Sequence, residues 1–164
     1  MVVYLLKKLR EIFFPERSHD DGVRSVDPID ILTAVHRQLV QLAEQIQSHA
    51  ECAPYPQVTE RLRQIASEKQ NSAQEIRRFM ESRRWRPGKV STLPVSGKNH
   101  WERMMRDLSD QRTLDQFLAV HEPRLSAESP ELAELLRQLK SSQAVHRGML
   151  ARLVAVADPQ ATQT

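Results

Sequence analysis

Proline and capping residues cut this chain into four stretches, and within each the apolar side chains recur at steps of three and four, the period of one helix face. The first opens at Asp27-Pro28, an N-cap followed by proline at the first helical position, where the missing N–H removes no bond. Its stripe is Leu32, Val35, Leu39, Leu42 and Ile46, and the ECAPYP segment ends it near Cys52. The second starts near Pro56, buries Val58, Leu62, Ile65, Ile76, Phe79 and Met80, and is expected to stop at Arg86, Pro87 and Gly88. After a polar connection, Asn99 with Glu102 three residues on reads as a capping box for the third. Its face begins Trp101, Met104, Met105 and Leu108, and it is predicted to end near His121, before Pro123. Ser129-Pro130 repeats the opening signature, and Leu132, Leu135, Leu136, Leu139, Met149, Leu150 and Leu153 carry the fourth stripe to Asp158 and Pro159. Four such helices predict an all-α four-helix bundle over residues 27–158, with the first and last pairs as antiparallel hairpins. The second-to-third connection, about twelve extended residues reaching ~40 Å, either crosses the length of the bundle or turns back at one end.

Glycine occurs only 4 times in 164 residues and aromatics make up 5%, so strands and tight hairpins are poorly supplied. The formal net charge of +3 is too small an excess to name a nucleic-acid partner, and none is expected. Cys52 is the single cysteine, which rules out an internal disulfide and a cysteine-based zinc site and points to a reducing, cytoplasmic setting. No run approaches the ~18 to 20 apolar residues that span a bilayer, and the N-terminus lacks a small-residue cleavage site. Residues 1–14 read as an amphipathic helical arm, with Val2, Leu5, Leu6, Leu9, Ile12 and Phe13 expected on one side and Lys7, Lys8, Arg10 and Glu11 on the other. That face has four candidate covers: its own bundle, a second copy, a partner protein, or a membrane surface to which the whole chain stays peripheral. Residues 15–26 read as a polar linker and residues 159–164 as a disordered tail.

Polar residues interrupt the stripes near mid-helix. The second helix passes from Ile65 to Lys69 and Ser72 before Ile76, the third reaches Gln111, Arg112 and Asp115 after Leu108, and the fourth passes Gln143 and His146 between Leu139 and Met149. Mid-helix inward positions meet at one level of a bundle, so Lys69, Ser72, Gln111, Gln143 and His146 are expected to converge. Each would cost roughly 1 to 3 kcal/mol if buried without a partner, so the five must satisfy one another or serve a site. Asp115 is the nearest candidate carboxylate to pair with Lys69, whose pKa should otherwise fall on burial.

The words around these positions resemble the ferritin-like superfamily, closest to bacterioferritin and rubrerythrin-type bundles, over Ile31 to Val154. HRQLVQLAEQIQSHA resembles that family's first helix, with its His-Ala pair at His49 and Ala50; LRQIASEKQNSAQEI resembles the stretch carrying the first Glu-x-x-His; RDLSDQ resembles Asp-Leu-x-x-Glu; and SSQAVHRGML resembles the second Glu-x-x-His. The resemblance implies a bundle whose centre, in active members, binds two irons. It places the family's six ligands on Leu39, Lys69, Ser72, Gln111, Gln143 and His146, of which only His146 keeps a ligand's chemistry. Hard cations need anionic oxygen, and an ammonium at Lys69 would supply positive charge of its own. The haem-ligating Met of bacterioferritin falls on Gln70, so the resemblance implies no haem, and no cofactor is expected.

The functional expectation is a ferritin-like bundle without catalysis or a di-iron centre, acting as a structural or binding protein that forms a homo-oligomer or docks on a protein through its arm. The alternative is an iron-binding protein or di-iron oxidase that uses Asp115, His146, Glu68 and His49. His49 and His146 read as hydrogen-bonded core residues, and Glu44 and Glu68 as solvent-facing. Arg77, Arg78, Arg83, Arg84, Arg86 and Lys89 cluster around Trp85, which either complements a helix dipole or offers an anion-binding patch. With no glycine-rich phosphate loop and no nucleophile beside a base, no small-molecule substrate is indicated.

Overall fold

A computed structural model of the chain describes residues 27–91 and 97–157. The arm, the linker and the 159–164 tail lie outside the described residues. Four α-helices follow one another: α1 (Pro28–Glu51), α2 (Pro56–Ser82), α3 (His100–Glu128) and α4 (Pro130–Ala157). Among the described residues there is no strand.

Side chains cap three of the four helix N-termini. The Asp27 carboxylate accepts from the Ile29 N–H at 2.9 Å ahead of Pro28. Asn99 Oδ1 accepts from Glu102 N at 2.9 Å while the Glu102 carboxylate accepts from Lys98 N at 3.0 Å, a capping box shifted by one residue on its return bond. Ser129, extended at φ −162° and ψ 152°, is the single residue between α3 and α4, and its Oγ accepts from Leu132 N at 3.1 Å.

Two boundaries differ from the expectation. α2 stops at Ser82, four residues before Arg86, because Arg84 turns into the left-handed region at φ 60°. There Trp85 N donates to Met80 O at 2.8 Å and Arg84 N to Glu81 O at 2.9 Å, a Schellman closure with an arginine where glycine is usual. α3 does not end at His121; it continues through Pro123 to Glu128. Pro123 is exposed, so its ring costs the helix one backbone bond on the solvent side, while Leu125 beyond it is fully buried and repays the continuation.

α1 packs along α2 and α3 along α4, with the pairs joined through α1 against α3 and α2 against α4. The directions follow from two contacts. Arg83 at the end of α2 pairs with Glu131 at the start of α4 at 2.8 Å, and His49 at the end of α1 meets Asp107 near the start of α3 at 2.9 Å. α2 and α3 are therefore diagonal and parallel, and residues 83–99 must cross the length of the bundle, the single long connection that a crossed four-helix bundle requires. Gln41, midway along α1, donates to Ser91 O of that connection at 3.5 Å. Val35, Leu39, Ile46, Leu62, Ile65, Ile76, Met80, Met104, Leu114, Leu118, Leu136 and Leu150 fill the interior, each worth roughly 1.5 to 3 kcal/mol of burial. Met105, counted on the inward face of its helix, points outward and is 37% exposed.

Candidate functional site

Lys69 is the largest side chain that the bundle buries completely, at 0% exposure in the middle of α2. Its ammonium donates to Gln111 Oε1 on α3 and to Gln143 Oε1 on α4 at 2.6 Å, with His146 Nδ1 on α4 at 3.4 Å. Three donors thus meet three acceptors from two other helices, and Gln111, Gln143 and His146 are also fully buried. The arrangement fixes the imidazole tautomer: with Nδ1 accepting from the ammonium, Nε2 carries the hydrogen and donates to Glu68 Oε2 at 2.7 Å.

Three residues sit differently from their expected places. Ser72 is half-buried and does not join the layer, since its hydroxyl donates back to Glu68 O at 3.1 Å within α2. Asp115 does not touch Lys69; it accepts from Gln111 Nε2 at 2.9 Å and from Arg147 Nη1 at 2.6 Å, so the buried amide is held between the ammonium and a carboxylate backed by a second cation. Glu68 is not simply solvent-facing, because its carboxylate reaches in to His146 while Gln64 donates to its other oxygen at 3.0 Å. Leu39, fully buried, brings no polar atom to this level from α1.

The electrostatics follow the geometry. Burial pushes the Lys69 ammonium down to about 7, and Asp115, Asp107 and Glu68 pull it back upward. His146 is lowered first by burial and next by the Lys69 charge, which holds it neutral as the tautomer requires. The His146 hydrogen bond, then that of Gln64, holds the Glu68 carboxyl below its usual range.

A second buried polar level, absent from the sequence reading, lies nearer the end where α1 stops and α3 starts. Asp107, 0% exposed, receives His49 Nδ1 at 2.9 Å on each carboxylate oxygen and Gln45 Nε2 at 2.8 Å, and Gln45 also reaches Asp110 Oδ2 at 2.9 Å. Burial raises the Asp110 carboxyl, with the Gln45 bond opposing. The available signal was spacing: Asp107 lies four residues before Gln111 and three after Met104, on the same inward face.

The basic residues on either side of Phe79 take separate partners or stay exposed. Arg83 pairs with Glu131 at 2.8 Å and lies 5.5 Å over the Phe79 ring, Arg77 pairs with Glu81 at 2.8 Å, and Arg84 makes the left-handed turn. Arg78, Arg86 and Lys89 are exposed. Val2, Leu5, Leu6, Leu9, Ile12 and Phe13 lie outside the described residues. Among the described residues, no group of three or more His, Cys, Asp or Glu side chains is gathered as for a metal ion, and no helix is long and apolar enough to cross a membrane.

No protein-family model and no curated protein sequence matches the chain. Among solved structures, the bacterioferritin of Rhodobacter capsulatus, described with a metal-free dinuclear site and haem iron, superposes with a TM-score of 0.73 over 85% of this chain and 90% of that one, at 16% identity. A likeness at that identity establishes architecture, and the architecture here, four helices with one crossing connection, is the ferritin-like fold.

Proposed function

We propose that this chain is a non-catalytic ferritin-like bundle, a structural or binding protein in which a protein-only hydrogen-bond layer stands at the level where the resemblance places a di-iron centre. The observation that supports this reading is the Lys69 ammonium, held by the amide oxygens of Gln111 and Gln143 at the middle of the core. A di-iron centre needs bridging carboxylates and open imidazole nitrogens. The donor set does not fit that group. The central position carries a cation, the two facing side chains are neutral amides, both nitrogens of His146 are engaged, and Asp115 is taken by Arg147 and Gln111. His49, the remaining candidate ligand, is committed to Asp107 at the other level. The apolar face of the arm is the proposed means of self-association or docking.

Anaerobic titration with ferrous iron, followed by exposure to air, tests the reading. The expected result is no stoichiometric iron and no oxygen uptake above that of free iron. About two irons per chain with oxygen consumption would refute it and favour an iron protein built on Glu68, His146 and Asp115. For the arm, the mass in solution of the full chain is expected to exceed that of one copy and to fall when residues 1–26 are deleted; an unchanged mass would remove the arm from the assembly.

A further inference from the structure

Between α1, α2 and the first residues of the crossing connection lies a groove of about 630 Å³. Its lining includes His36 from α1, Gln70 and Arg77 from α2, and Arg86 and Lys89 from the connection. His36 is 8% exposed, and its Nδ1 has no hydrogen-bond partner. The structure gives Arg86 and Lys89 no ion pair among the described residues. Arg77 commits only its Nε, to Glu81 Oε1 at 2.8 Å, which leaves both terminal amino groups open. Three cations against the single carboxylate of Glu81, also in the lining, leave this concave surface with a local excess of two positive charges. The buried layer around Lys69 uses none of these side chains.

We propose that this groove binds the phosphoryl group of a small organic phosphate, with Arg86, Lys89 and the terminal amino groups of Arg77 around the anion. Guanidinium groups match phosphate oxygens in pairs, and a lysine adds a compact charge. Burial, and next the Arg77 charge, lower His36, so its imidazole adds no charge of its own to the lining. The volume exceeds what a bare phosphate needs and suits a sugar-sized body attached to it. The same chemistry is offered by a soluble phosphate ester and by a phosphomonoester lipid headgroup.

Calorimetric titration of the full chain with pyrophosphate and with magnesium-free ATP, alongside co-sedimentation with phosphatidylcholine vesicles doped with phosphatidic acid, separates the two sources. Saturable one-site binding in either arm is expected. The Arg86→Gln/Lys89→Gln variant should weaken it about tenfold or more, because both side chains are exposed and unpaired and their loss leaves the fold intact. Arg63→Gln/Arg112→Gln removes the same charge from exposed positions away from the groove and should leave binding unchanged. The proposal is overturned by an absence of binding in both arms up to about 1 mM ligand, or by an equal loss in the control variant, which would reduce the effect to net charge.

Discussion

Replacing Lys69 by Met separates the two costs that meet in the buried layer. The substitution keeps the length of the side chain and removes the ammonium, so Gln111 Oε1, Gln143 Oε1 and His146 Nδ1 lose their donor. An unpaired buried acceptor costs about 1 to 3 kcal/mol, although Gln111 Nε2, 3.4 Å from Gln143 Oε1, can take up one of the three. Against that stands the burial of a charge. With the folded amine pushed down to about 7 from an ordinary 10.5, the unfolded chain binds the extra proton between those two values. Stability must therefore rise with pH across that window, because protonation favours the unfolded state there. The gain between pH 7 and pH 9 is about 2 kcal/mol for one such group. Titrating groups outside the layer are shared by the parent and the variant, so the difference between their stabilities reads Lys69 together with the two groups its charge acts on, His146 and Glu68. Urea unfolding followed by helical circular dichroism at pH 6, 7, 8 and 9 should show the parent gaining on Lys69→Met above pH 7, with a flat difference below it. A difference that stays flat throughout would mean that Asp115 and Glu68 hold the amine charged in the fold, and the argument for a strongly desolvated lysine would fail.

Three further outcomes follow from single positions. Arg84→Gly should stabilise the chain by about 0.5 to 1 kcal/mol, since the left-handed residue of the Schellman closure carries a side chain at φ 60°; a destabilised variant in urea would show that the arginine makes a compensating contact. Pro123→Ala should raise stability by about 1 to 3 kcal/mol by restoring a backbone donor on the exposed side of the last two turns of α3, and no gain in the melting temperature would mean that the helix is already adapted to the ring. Asp107→Leu should cost about 3 to 5 kcal/mol because it strands His49 Nδ1 and one bond of Gln45 in the core, whereas a loss under 1 kcal/mol would mean that the cluster carries little weight.

The helices were legible because each is written as a stripe and three of the four also as a cap; Asp27-Pro28 and Ser129-Pro130 both open where the punctuation says. The ends that misled are those where tertiary burial overrules the local rule. Pro123 ordinarily closes a helix, but the burial of Leu125 two residues further on outweighs a single lost bond. Arg84 closes α2 early in a conformation that arginine rarely adopts, so no residue type announced it. The polar layer shows the same division. Lys69, Gln111, Gln143 and His146 lie on the stripes themselves and could be placed by counting turns. Glu68 lies about 100° around α2 from Lys69, and only the reach of its side chain returns its carboxylate to His146. Asp107 stood beside Leu108, and an apolar neighbour on the same face concealed a carboxylate that needs a histidine from a different helix to be buried at all.

The two polar levels divide the task of register. Apolar stripes tolerate sliding, because one leucine packs much like the next. Lys69 does not: its three bonds tie α2 to α3 across the diagonal and to α4 alongside, and a shift of one turn would bury the ammonium among leucines. α1 contributes only Leu39 to that level and gains no positional information from it. It is fixed instead by Gln45 and His49, which both close on Asp107 of α3. Each helix is thereby pinned by at least one bond set that a slipped arrangement would break. Both clusters use hydrogen-bonded carboxylates, imidazoles and amides arranged to satisfy each other, as a bundle whose polar core serves to specify its own packing requires.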